Sequence, residues 1–110
     1  QFAQQPAANQ FMVAYLRGVR DYVRAFFGDG DRAAAAAQLV KHLAVKEPAL
    51  YERMGLPYVN PDGRVNTADL QAQQEWHVAQ GLVAQPASVE QLVDNRFVDY
   101  ALSVLGPYRP

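Results

Sequence analysis

Between Pro6 and Phe27 the apolar positions fall at Phe11, Met12, Tyr15, Leu16, Val19, Tyr22, Val23, Phe26 and Phe27. Steps of three, four and one describe a helix with a wide apolar stripe. Arg17, Arg20, Asp21 and Arg24 fall mostly off that stripe, and Pro6 suits the first turn, where a missing N–H costs nothing. The stretch "GDGD" at 28–31 ends the element, with Asp29 or Asp31 placed to cap the next. A second helix is expected over about Arg32 to Ala44, Ala-rich but keeping Leu39, Val40 and Leu43 for packing. A short third begins at Pro48 and carries Leu50, Tyr51 and Met54.

The pattern then breaks. "GLPYVNPDGRVN" has no helical period and reads as an extended loop, with Val59 and Val65 flanking a turn and able to pair only minimally. A fourth helix follows over about Thr67 to Gln80, capped by Asn66 or Thr67, with Asp69 at its positive end. Gly81 and Leu82 match a left-handed C-terminal cap with a hydrophobic clasp. "SVEQ" at 88–91 is a capping-box pattern opening one or two further turns. Phe97, Val98, Ala101, Leu102 and Leu105 form the stripe of a last helix ending at Gly106 and Pro107. The expected architecture is all-α: a compact bundle of five or six helices with one extended Pro/Gly-rich loop, as a single unit over residues 1–110.

The chain has 110 residues, one domain's worth or a piece of a larger protein. A chain of this length buries roughly 65% of its unfolded surface. Half the residues count as hydrophobic, and six Tyr, five Phe and one Trp supply the large groups. This composition is globular. The formal net charge of −1 comes from interspersed signs, so no basic stripe points to nucleic acid. Without cysteine, disulfides, thiolate metal sites and cysteine nucleophiles are all excluded. No apolar run approaches the ~20 residues of a membrane span. The start "QFAQQPAANQ" lacks the charged and apolar regions of a signal peptide, which fits a chain beginning after processing or inside a longer protein.

Chemistry is most densely suggested by "NPDGRVNTADLQAQQEWH" at 60–77, which holds Asp62, Arg64, Asp69, Glu75 and His77. A calcium loop needs oxygen ligands at alternate positions and a bidentate acid at its end; Arg64 puts a cation where a ligand belongs. "NPDG" is better read as a turn, with Pro second and Asp and Gly after it. Glu75 and His77 are two apart on a helix, roughly 200° around, and cannot share a ligand. His42 has only Glu47 nearby, beyond its helix, and no third ligand completes a two-histidine site. Trp76, with Ala72 and Ala79 on the same side, is expected to anchor helix packing rather than stack on a ligand. Tyr15 and Tyr22 are core or groove residues. Ser88 and Ser103 lack a nucleophile elbow, and acidic "GDGD" would repel phosphate. Tyr58 and Arg64 are the polar loop residues best placed for partner contact. No catalytic residue, metal site or cofactor is nominated, and no enzyme reading emerges.

Four stretches carry a family resemblance: "AYLRGVRDY" at 14–22, "PDGRVN" at 61–66, "QQEWHVAQGLV" at 73–83 and "LVDNRFVDYALSVLG" at 92–106. In this order they resemble the C-terminal end of bacterial ABC-transporter solute-binding proteins of the nitrate/sulfonate/taurine and thiamine-precursor type. The resemblance implies a non-catalytic periplasmic or extracytoplasmic protein that captures a small organic or sulfonate-type solute and delivers it to a membrane permease. Family members are about three times longer, with two α/β lobes that close on ligand at a hinge. This chain corresponds to the helical tail alone and lacks the strand ends that form such sites. The family's ligand residues lie mainly upstream, so none is carried onto this chain. The implied partners are the upstream lobes, the permease and the solute. A tail stripped of its sheet closes into its own bundle or pairs with another copy through residues 11–27. The rival reading is a free-standing helical interaction module.

Overall fold

The structure, a computed structural model, describes residues 6–110. It is all-α, with six helices among the described residues: α1 Pro6–Phe27, α2 Arg32–His42, α3 Pro48–Arg53, α4 Thr67–Ala79, α5 Val89–Leu92 and α6 Arg96–Leu105. The Val59–Val65 segment forms no strand; "NPDG" closes as a turn instead, with the Gly63 N–H donating to the Asn60 carbonyl at 2.9 Å.

The helix starts follow local chemistry. Asp31 caps α2, its carboxylate accepting from Ala34 N–H at 2.9 Å. Asn66 caps α4 by accepting from Asp69 N–H at 3.3 Å, and Ser88 Oγ accepts from Gln91 N–H at 3.3 Å at the start of α5. Each cap satisfies an amide that the helix itself leaves open. Helix α4 ends as its sequence requires, with Gly81 at φ +70°, Gly81 N–H on the Val78 carbonyl and Leu82 N–H on the His77 carbonyl. The expected clasp does not form, because Leu82 is left exposed.

Helix α1 is the spine. Its Leu16, Val19, Val23, Ala25 and Phe26 are buried, and Leu16 is the one large side chain wholly withdrawn from water among the described residues. Helix α6 packs along one side of α1, contributing buried Val98 and Ala101. On the other side α2 packs against α1, and α3 packs on α2. There Ala25, Phe26, Ala36 and Tyr51 form a core flanked by Tyr22, Leu39, Val40 and Leu56. The Tyr51 hydroxyl reaches the Val45 carbonyl at 3.2 Å, so its polar end is satisfied.

Helices α4 and α5 are different. Neither has a buried residue, and α4 meets no helix but α5. This wing stretches the envelope to 46 × 36 × 28 Å, with a radius of gyration of 17.2 Å against about 13 Å for a globule of this length. Trp76 is 57% exposed, which corrects the expectation that it anchors helix packing: its ring meets only the edge of His77 at 5.2 Å among the described ring contacts. No described helix is long and apolar enough to cross a membrane.

Candidate functional site

The residues that suggested chemistry at 60–77 are dispersed by the fold into separate structural duties. Asn60 shapes the turn from both ends, accepting from Asp62 N–H at 2.9 Å and donating to the Arg64 carbonyl at 3.2 Å. Gly63 lies at φ +70°, and a Cβ there would sit 2.5 Å from Leu16 Cδ2. Only glycine permits both that backbone and that approach to α1. The turn is therefore docked on the spine, with Pro61 buried.

What holds it is Arg20, a residue that the sequence pattern assigned to the solvent side. The side chain is 9% exposed, and its guanidinium is distributed over four acceptors. Nε donates to the Pro61 carbonyl at 3.1 Å and Nη1 to the Leu105 carbonyl at 3.4 Å. Nη2 donates to Asp62 Oδ1 at 2.9 Å and to the Gly106 carbonyl at 2.6 Å. Asp62 Oδ1 also accepts from Tyr108 N–H at 2.7 Å, and Arg20 and Arg24 both lie over the Tyr108 ring. One cation thus ties together α1, the "NPDG" turn and residues 105–108, the C-terminal strap. The signal for this was present: Arg20 is four residues after Leu16 and three before Val23, on the buried side of the wheel.

The other candidates are likewise engaged. Arg64 pairs with Asp99 of α6 at 2.6 Å, so it fastens the loop rather than standing free for a partner. Asp69 accepts from Asn66 Nδ2 at 2.7 Å within the α4 cap, and Glu75 accepts from Gln71 Nε2 at 3.0 Å. His77 is half-buried beside Trp76, and His42 is exposed at the end of α2. No group of three metal-capable side chains converges among the described residues. Tyr58 remains exposed but stacks edge-on with Phe27, ring centres 5.3 Å apart. Ser88 caps α5, and Ser103 Oγ donates to the Tyr100 carbonyl at 2.6 Å within α6.

Two concavities bear on these candidates. A polar cleft of about 720 Å³ lies between α4, α5 and α6 and is lined by Glu90, Asp94, Arg96 and Asp99. Its one cation, Arg96, is committed to Asp94, and Asp99 pairs with Arg64 beside the cleft. Arg96 Nε and Nη2 both grip the Asp94 carboxylate, at 2.9 and 2.6 Å, and those hydrogen bonds hold its pKa down at about 2. The second concavity is an apolar groove of about 540 Å³ between α1, α2 and α3, with walls that include Tyr15, Gly18, Tyr22, Leu39, Leu43 and Met54. Tyr22 turns its hydroxyl to the Pro57 carbonyl at 2.7 Å, and burial pushes its phenol pKa up. Tyr15 and Tyr22 are thus groove residues. The groove offers area and shape but no nucleophile, acid–base pair or anion-binding donor. No protein-family model matches the chain, and no curated protein or solved structure was found to be similar to it.

Proposed function

We propose that this chain is the C-terminal helical part of an ABC-transporter solute-binding protein of the nitrate/sulfonate/taurine and thiamine-precursor type. In this reading the whole protein works outside the cytoplasm. It captures a small organic or sulfonate-type solute between upstream lobes and hands it to a permease, and no step is catalytic. The four ordered stretches at 14–22, 61–66, 73–83 and 92–106 carry the resemblance. The single structural observation in favour is the α4–α5 wing. A 13-residue helix with no buried residue has little intrinsic stability in water, because most helical stability comes from packing an apolar face. Trp76, Val65, Leu82, Val83 and Leu92 are all exposed on or beside the wing. Upstream lobes of a longer protein would cover that surface.

The test is the encoding gene, followed by Trp76 as a reporter. An open reading frame running upstream through a signal sequence and two α/β lobes is expected. In that longer protein Trp76 fluorescence should be blue-shifted and shielded from acrylamide relative to the 110-residue chain. A start codon directly before Gln1 would reject the proposal and promote the rival reading, a free-standing helical interaction module. The observation favouring that rival is the apolar groove beside α1.

A further inference from the structure

The α1 groove is a separate surface from the wing, and the charges on the far flank of the α1 ridge indicate what covers it. The exposed ridge of α1 carries Ala14 and Gly18 at its crest, and Tyr15 is 49% exposed on one flank. A Cβ built on Gly18 meets nothing within 4 Å, so the crest is low and open to close approach by another backbone. The depression continues across the ridge: Gly18, Tyr22 and Leu39 also border a second hollow that reaches Asp21 and Phe26. The opposite flank of the ridge carries Arg17 and Asp21, both exposed. Arg17 makes no ion pair among the described residues, and Asp21 has only a long contact of 3.8 Å with Arg24.

We propose that the occupant of this groove is a second copy of the chain, its α1 crossing antiparallel at Gly18. Arg17 and Asp21 are four residues apart, about 40° around the helix, and so share one edge. In an antiparallel pair like edges face each other. With the two-fold axis level with Val19, next to Gly18, Arg17 of each copy lies beside Asp21 of the other, giving two reciprocal ion pairs. A parallel pair would set that edge against the Tyr15–Val19 flank, which carries no charge. The interface is isologous, as a two-fold dimer requires. The low crest lets the helices approach while Tyr15 and Tyr22 of each copy fill the trough of the other. This inference does not rest on the solute-binding reading, and the gene structure that decides that reading leaves it untouched.

Sedimentation velocity of the full chain, from low-micromolar to sub-millimolar concentration, reads the outcome. A reversible dimer is expected, weakened by added salt because exposed charges are screened. Gly18→Glu places a charge at the crossing point; the space there and the better helix propensity predict unchanged helicity and a monomer at every concentration. Asp21→Arg should raise the dissociation constant about tenfold by turning two attractions into repulsions, and Arg17→Asp combined with Asp21→Arg should recover it. A chain that stays monomeric throughout, a dimer insensitive to Gly18→Glu, or a charge swap that fails to recover affinity overturns the proposal. A monomer that binds an apolar dye, and loses it on Gly18→Glu, also overturns it and assigns the groove to an apolar ligand.

Discussion

Replacing Arg20 with Met keeps the length and apolar stem of the side chain but removes the cation that joins α1, the turn and the C-terminal strap. Three backbone carbonyls, those of Pro61, Leu105 and Gly106, lose a donor, and Asp62 loses its countercharge. A hydrogen bond to a charged group contributes about 1.5–3 kcal/mol net, and such contributions do not add within one network. Breaking a fully buried ion pair costs about 3–5 kcal/mol. Here Asp62 is still 32% exposed and can rehydrate, which lowers the electrostatic part. The net expectation for Arg20→Met is a loss of about 3 kcal/mol.

That is a large share of the roughly 5–15 kcal/mol that stabilises a typical domain, and it should lower the melting temperature by roughly 12–20 °C. Asp62→Asn keeps an oxygen for Arg20 and Tyr108 N–H but removes the charge, and should cost about 1.5 kcal/mol. Urea unfolding followed by far-UV circular dichroism measures both variants and the double variant. A coupling of about 1–2 kcal/mol between the two sites is expected. If Arg20→Met costs under about 1 kcal/mol, or the two substitutions are additive, the clamp is not what holds the turn to the spine.

Three further outcomes follow from local geometry. Gly63→Ala should cost about 2–3 kcal/mol in the same assay, because a Cβ at φ +70° is strained and here also meets Leu16; Gly55→Ala, where a Cβ meets nothing within 4 Å, is the control. Asp31→Ala should lose about 1 kcal/mol through the α2 cap, whereas Asp29→Ala should be near neutral. Asp94 titrates at about 2, held below its ordinary value first by the side-chain hydrogen bonds from Arg96. A depressed carboxylate pKa contributes stability above the unfolded value, lost as pH falls through about 2. Carboxyl NMR titration should find that midpoint and return it to the ordinary range in Arg96→Gln.

Helix order and helix starts were legible because they depend on neighbours in sequence. The period of α1, the caps at Asp31, Asn66 and Ser88, and the Gly81 turn are decided within a few residues. The readings of Arg20 and Trp76, like those of Arg64 and the Leu82 clasp, failed because they are decided by tertiary context. Arg20 reads as surface because arginine is rarely buried, yet its place between Leu16 and Val23 puts it inside, where carbonyls at the turn and the end of α6 accept from it. Trp76 reads as a packing anchor because a single large aromatic among alanines has the most area to hide. Its helix, however, meets only α5, which is too short to cover it. For the candidate site, helical angle alone separated Glu75 from His77. The partners that absorb Asp62 and Arg64 are 42 and 35 residues away in sequence and have no local signature.

The balance of satisfied and unsatisfied groups limits what this surface does. No buried side-chain polar atom among the described residues lacks a hydrogen-bond partner, and the cations nearest the polar cleft, Arg64 and Arg96, are already committed to Asp99 and Asp94. An anionic solute entering there would have to displace internal pairs before gaining a contact with either cation. The apolar surface is in the opposite condition. Trp76 alone, 57% exposed, leaves on the order of 100–140 Å² of a ring that burial would withdraw from water, worth about 3 kcal/mol. Tyr15, Leu43 and Met54 add to this at the other end of the molecule. Free energy still available to this fold therefore lies in covering apolar faces, on the wing and along α1 separately, and this favours assembly with other protein surface over binding at a polar site. If so, truncating Trp76 to Ala should leave the stability of the 110-residue chain almost unchanged while weakening whatever assembly covers the wing. A marked loss of stability in the chain alone would show that the wing is already packed.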